Sequence, residues 1–292
     1  MKQKSRRQMK QPDLQASYII TIYAAGQGCR MELNMKITFI RHCTMTVEYG
    51  STKFVIDPVF GSAGSKDPLK GNASTPMLRN PLTELPISPD EIVSGMSAMI
   101  LTHNHPDHLD QEAADKIPKT IPIFVQNLQD KDTMRNFGFK KNFTVDMTPW
   151  TSYGDIQVVK TPGKHGDAPM TKVLNEMNNS GGFVLKKAGE KTIYFTGDTV
   201  WCLGVEDSLT RHHPDIIVAN VGGAYLDDMR LLMNLADLKA MHEYLPSAQI
   251  IVVHLEAFNH CPITRQEVRA FAAQNGFADK IIVPSDGEVM NF

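Results

Sequence analysis

The segment Leu101-Thr102-His103-Asn104-His105-Pro106-Asp107-His108 sets three imidazoles and a carboxylate within six residues. A composition-matched random chain of this length carries such a group with a frequency of roughly 0.001, so the segment is read as chemistry and not as a solvated His-rich loop. In an extended or turning backbone, side chains 103 and 105 converge on one side while Asp107 and His108 turn toward a neighbouring position. Two adjacent metal ions can then be bound. A donor set of His and Asp without Cys suits zinc first, and manganese or iron next.

Three more candidate ligands stand just past the carboxyl ends of expected strands. They are His165 in Thr161-Pro162-Gly163-Lys164-His165-Gly166, Asp198 in Phe195-Thr196-Gly197-Asp198-Thr199, and His254 in Val252-Val253-His254. Ligands gather at strand carboxyl ends in open α/β architectures. Asp57, closing an expected strand over 53–56, is a candidate to hold the free nitrogen of a metal-bound imidazole. Tyr225 and His260 are candidates to touch substrate. The chain has no G-x-S-x-G elbow and no Cys/His pair at a helix start, so no side-chain nucleophile is expected.

The elements that must position these residues follow from periodicity. Strands are expected over 37–40, 44–48 and 53–56 as an antiparallel meander, followed by a loop over 58–89 that holds six prolines and no period. An alternation comes next: strand 98–101, helix 110–117, strand 121–125, helix 129–137, strands 144–147 and 156–160. The second half reads as a hairpin over 182–186 and 192–196, strand 216–220, an amphipathic helix over 226–244, strand 249–253, helix 264–275 and strand 281–283. In the long helix Leu231, Leu232, Leu235, Leu238 and Met241 fall at helical spacing and read as a core face. Two meanders, each followed by helix and strand, are what two packed sheets with outer helices would produce.

With those residues in view the sequence resembles the metallo-β-lactamase superfamily, whose HxHxDH, His, Asp and His motifs match 103/105/107/108, 165, 198 and 254. The resemblance covers about 35–292. It implies an α/β fold, a four-layer αββα sandwich with a dinuclear site at one edge. One metal would take His103, His105 and His165, the other Asp107, His108 and His254, and Asp198 would bridge them. Asp107 would also orient or deprotonate the attacking water, so Asp107 and Asp198 are the expected catalytic residues. Further features resemble the branch of ascorbate-6-phosphate lactonase and N-acylphosphatidylethanolamine phospholipase D: Asp57-Pro58 before a Pro-rich loop, Gly197-Asp198-Thr199, and Asn259-His260. The implied function is metal-dependent hydrolysis of a small ester, lactone or phosphoester. The alternatives are a phosphodiesterase acting on a phospholipid or nucleotide, a mononuclear iron dioxygenase, or a non-catalytic metal-binding module.

Composition bounds the partners. The 292 residues carry 30 bases against 32 acids, a net charge of −2, with 42% hydrophobic residues. That balance disfavours binding driven by bulk attraction to nucleic acid. Four cysteines without a CxxC pair indicate neither a disulfide framework nor a thiolate zinc ribbon, and a reducing cytoplasm is the default. No apolar run approaches the roughly 20 residues that span a bilayer. A small-molecule substrate is therefore expected, with homo-oligomerisation left open. Residues 1–34 are read as an extension outside the catalytic domain at 35–292, disordered or loosely attached.

Overall fold

The computed structural model describes residues 35–144, 151–169, 172–173 and 180–292, which fall within one compact unit spanning Leu33–Phe292. The expected extension over 1–34 lies outside the described residues. Two seven-stranded sheets organise the chain. The first runs β16-β1-β2-β3-β4-β5-β6, built from β1 (Lys36–Arg41), β2 (Thr44–Tyr49), β3 (Thr52–Ile56), β4 (Ala98–Ile100), β5 (Pro122–Val125), β6 (Lys141–Thr144) and β16 (Val289–Asn291). The second runs β15-β14-β11-β10-β9-β8-β7, from β7 (Thr151–Tyr153), β8 (Ile156–Pro162), β9 (Gly181–Lys186), β10 (Ile193–Phe195), β11 (Ile216–Asn220), β14 (Gln249–Val253) and β15 (Ile281–Ile282). A small hairpin, β12 (Tyr225–Leu226) and β13 (Met229–Arg230), stands apart from both.

The sheets share one pairing plan. In the first, β16, β1, β2 and β3 pair antiparallel and β3 to β6 pair parallel. In the second, β7 to β10 pair antiparallel and β10, β11, β14 and β15 pair parallel. Alternation along the strands sorts side chains into layers, because successive residues point to opposite faces. Phe39, Val47, Phe54 and Ile100 meet Val158, Phe183, Leu185 and Val218 between the sheets. On the outer face of the second sheet, Val184, Ile217, Ile250 and Val252 bury the apolar sides of helices Leu203–His212, Leu235–Tyr244 and Arg265–Gln274. Helices Pro89–Val93, Gln111–Lys116 and Leu128–Asn136 cover the first sheet through Ile92, Ala113, Ala114 and Met134. The expected αββα sandwich is the observed fold.

The expected helix over 226–244 is corrected by the structure. Asp227 adopts φ 51° at the turn of the β12–β13 hairpin, and the helix begins only at Leu235. Asn234 caps it by accepting from the Ala236 and Asp237 amides, while the Asp237 carboxylate reaches back to the Asn234 amide. The apolar spacing mixed two roles: Leu238 and Met241 face the core, whereas Leu231 and Leu232 line a pocket. The strand expected over 144–147 is placed at Lys141–Thr144, and 145–147 lies outside the described residues.

The Pro-rich loop has few regular pairs but is tied down by side chains. Asp110 caps its own helix at Ala113 and also accepts from the Phe60 and Gly61 amides. Asn259 accepts from the Leu69 amide and Asn80 Nδ2, and donates to the carbonyls of Leu69 and Pro76. Arg41, buried at the end of β1, donates to the carbonyls of Val59, Gly61 and Thr83.

Candidate metal centre

All seven ligand candidates from the sequence come together at one end of the two sheets. The strands β3, β4, β10 and β14 end there in Asp57, the 103–108 loop, Asp198 and His254, with His165 arriving after β8. Sharp backbone turns aim several of them. His254 sits at φ 66° and Asp57 at φ 42°, and Gly197, at φ 60°, passes so close to the Gly181 carbonyl that a Cβ would lie 2.6 Å from its oxygen. In such left-handed, crowded positions a glycine avoids a clash that other residues would suffer.

The seven candidates make up two of the four clusters of potential ligand atoms among the described residues. His103, His105 and His165 form one, Asp107, His108, Asp198 and His254 the other, with ligand atoms in each group within 4.8 Å of one another. His103 Nε2 lies 2.9 Å from His105 Nδ1, and His108 Nε2 lies 3.2 Å from His254 Nε2. Asp198 stands between the groups. Its Oδ2 is 3.7 Å from His103 Nε2 and 3.5 Å from His165 Nε2, while its Oδ1 is 3.3 Å from His108 Nε2 and 3.4 Å from His254 Nε2.

Partners behind the rings set which nitrogen faces inward. His165 Nδ1 lies 3.2 Å from the Leu231 carbonyl, an oxygen that only accepts, so Nδ1–H donates and the Nε2 lone pair faces the centre. Asp57 Oδ2 accepts from His108 Nδ1 at 2.9 Å and from Thr102 Oγ1 at 2.7 Å, and its Oδ1 accepts from the Thr102 amide at 2.8 Å. Thr102 Oγ1 also lies 3.2 Å from His103 Nδ1. Cys261 Sγ is 3.2 Å from His254 Nδ1, and Asn220 Nδ2 donates to Asp198 Oδ1 at 2.7 Å.

The electrostatics call for cations. Asp57, Asp107 and Asp198 are at most 3% exposed, and among the described residues their ion-pair partners are all imidazoles. Burial opposes charge on Asp198, but His254, His108 and His165 outweigh it and hold the carboxyl well below its usual range. Burial is likewise overcome at Asp107, by His108 and by hydrogen bonds from His254, His260 and His42. Burial, reinforced by neighbouring rings, holds His103 well below the ordinary imidazole range and brings His105 down to about 4; it lowers His165 too. These three rings keep their lone pairs free at neutral pH. At His108 burial also disfavours charge, yet Cys43 and the carboxylates of Asp198, Asp57 and Asp107 raise it well above that range. A proton there partly meets a demand for positive charge that metal ions would meet fully, and inward lone pairs beside buried carboxylates that face only imidazoles as ion-pair partners are the donor set they require.

The centre opens into a cavity of about 200 Å³ with a mostly apolar wall. Leu69 and Lys70 of the Pro-rich loop form one side, Ala224, Leu226, Leu231 and Leu232 the other, and His105, Asp107, His165, Asp198 and His260 the floor. His260 Nε2 reaches Asp107 Oδ2 at 3.3 Å. Burial works against its charge, but Cys261 and Asp107 push it up to about 10. Tyr225, expected beside substrate, lies instead in an outer cleft with Asn72, Ala73, Ser74, Asp227 and Asp228. Asn220 and His42 belong to the site although neither is among the candidates read from the sequence. Asn220 carried a legible signal, a polar side chain closing the apolar run of β11; His42, in the corner between β1 and β2, carried the ligands' own signal, a histidine just past the expected strand over 37–40.

Comparison with known proteins identifies the family. Residues 52–255 match the family described as beta-lactamase superfamily domain. The UPF0173 protein YddR of Bacillus subtilis is 40% identical over 259 residues, 88% of this chain and 100% of that one. Two solved structures superpose with a TM-score of 0.84. They are an isothiocyanate hydrolase from Delia radicum gut bacteria, 36% identical over 88% of this chain and 99% of that one, and a possible metal-dependent hydrolase from Veillonella parvula, 33% identical over 89% and 100%. Fold, donor set and relatives converge: the chain belongs to the metallo-β-lactamase superfamily, as a metal-dependent hydrolase of its UPF0173 family.

Proposed function

We propose that His103, His105, His165 and Asp198 Oδ2 hold one divalent cation and Asp107, His108, His254 and Asp198 Oδ1 a second. Zinc suits the donors first, manganese or iron next. The observation that carries the pair is Asp198, whose two oxygens face separate imidazole sets. Bound there, such a pair supplies a water of lowered pKa as nucleophile and a Lewis acid for the substrate oxygen.

The substrate is a small, uncharged, mostly apolar electrophile, an ester or lactone. The pocket supports this, since Leu69, Ala224, Leu226, Leu231 and Leu232 form its walls and Lys70 is the one lysine or arginine among the described residues that line it. A phosphodiester would favour more cations. The lactone reading also draws on Asp57-Pro58, Gly197-Asp198-Thr199 and Asn259-His260. The apolar walls exclude bulk water, Asp57 and Thr102 fix the rings of His108 and His103, and His260 contacts the bound substrate from the floor. A second reading is an isothiocyanate, the substrate in the name of the neighbour from Delia radicum gut bacteria. It too is uncharged with an electrophilic carbon, and adding water across its C=N bond leads to an amine and carbonyl sulfide.

The test is hydrolysis by zinc- or manganese-loaded protein across aryl esters, lactones, an aralkyl isothiocyanate and bis(p-nitrophenyl) phosphate, with Asp198→Ala as the blank. Cleavage of neutral substrates that the blank lacks is expected. Cleavage of the phosphodiester alone would overturn the substrate class, and no metal-dependent cleavage would overturn the reading.

A further inference from the structure

We propose that His42 is a positioning residue that fixes Asp107 for the second cation. The inference rests on the reading of Asp107 as a ligand. His42 is fully buried and is not among the residues lining the cavity, so it acts through its neighbours and not on substrate. Its Nε2 lies 3.4 Å from Asp107 Oδ2, the same oxygen that His254 Nε2 approaches at 3.4 Å. Its carbonyl accepts from the His254 amide at 2.8 Å. Its ring packs on the ring of His254, with centroids 3.7 Å apart, and on Phe258 at 4.5 Å. One residue thereby touches two candidate ligands of the same cation by three routes.

The corner is built around that contact. His42 stands at φ 62°, a conformation bulky side chains seldom adopt, and its Nδ1 is buried with no hydrogen-bond partner. A histidine kept only for packing would have both nitrogens satisfied or be an apolar residue. Here the nitrogen that has a partner is Nε2, and because that partner is a carboxylate oxygen, which accepts, Nε2 carries the hydrogen. Cys43, the next residue, grips the same aspartate from its backbone side, with Sγ 3.2 Å from the Asp107 carbonyl. Asp107 is thus held at both ends by adjacent residues of one hairpin corner.

Two polar substitutions test the contact. In His42→Gln the side-chain amide nitrogen reaches the place of Nε2, whereas in His42→Asn it stops near that of Nδ1. Zinc stoichiometry and affinity are read by native mass spectrometry and chelator competition, and the second site by the visible bands of the cobalt-substituted protein. Wild type is expected to take two zinc ions. His42→Asn should weaken the second about 10- to 100-fold, the usual effect of losing a residue that orients a ligand, with the first within about twofold; His42→Gln should restore it. Unchanged second-site affinity in His42→Asn would overturn the proposal, as would equal loss of both ions in both variants, which would mark a purely structural role. A wild-type protein whose zinc binding is indifferent to Asp107→Asn would overturn the ligand reading together with it.

Discussion

Removing the carboxylate of Asp57 separates what it does for the fold from what it does for the metal centre. It accepts three hydrogen bonds: Thr102 amide at 2.8 Å, Thr102 Oγ1 at 2.7 Å and His108 Nδ1 at 2.9 Å. In Asp57→Ala the His108 N–H can donate instead to the Thr102 hydroxyl oxygen, 3.2 Å from its Nδ1. The Thr102 amide and the Thr102 O–H lose their acceptor, because the ring nitrogens beside the hydroxyl carry hydrogens of their own, and each buried donor without an acceptor costs about 1–3 kcal/mol. A loss of about 4 kcal/mol follows, which for a domain of this size lowers Tm by roughly 8–16 °C. Asp57→Asn divides the effect. Its carbonyl still serves the Thr102 amide, but its NH2 opposes the His108 N–H and favours the tautomer in which Nδ1 accepts and Nε2 carries the hydrogen, where a cation would need the lone pair. Differential scanning calorimetry should find Asp57→Asn close to wild type in Tm, while zinc titration finds its second site weakened at least tenfold. Normal zinc affinity in Asp57→Asn, or a Tm within about 2 °C of wild type in Asp57→Ala, would refute this account.

Acid should destabilise the metal-free protein. Because burial depresses the folded-state imidazoles of His103, His105 and His165, below pH 6.5 the unfolded chain binds protons that the fold does not. Stability therefore drops as pH falls from 6.5 to about 4, the folded value for His105, and urea midpoints across that range should show it. Asp130 works in the opposite sense. Burial raises its carboxyl to about 6, so its contribution is complete below the ordinary value near 3.8 and is lost as pH rises through 6. Asp130→Asn should raise the urea midpoint at pH 7 and remove that part of the slope. In Gly222→Ala the new Cβ would lie 2.5 Å from the His254 carbonyl oxygen and 2.9 Å from Cys261 Sγ. A cost of about 1–3 kcal/mol and a weakened second zinc site are expected, measured by thermal unfolding and zinc titration.

Much of this was legible in the sequence because it is local. Residues 216–219 and 250–253 are buried stretches of central strands and read as apolar runs, and the helix expected over 110–117 is observed at Gln111–Lys116. The ligands announced themselves by type and by standing after strands. What failed was non-local. The apolar residues from Leu231 to Met241 kept helical spacing across a boundary that only the Asn234–Asp237 cap marks. Val289–Asn291 is a strand because β1 offers it an edge. His42 owes its place to a hairpin corner that folds onto Asp107, a residue remote in the chain but brought near by β3 and β4. The pocket wall joins Leu69 to Leu231, and neither residue alone carries a sign of the other.

The clasp at Asn259 bears on how this scaffold acquires new substrates. In holding Leu69 and Pro76 it grips main-chain groups alone, and only Asn80 answers with a side chain. The path of the loop is thereby uncoupled from the identity of most residues along it. Side chains at 69 and 70 can be exchanged to reshape the cavity while the backbone, and His254 a few residues before the clasp, stay in register. A library randomised at those two positions would vary selectivity while sparing the metal-binding machinery.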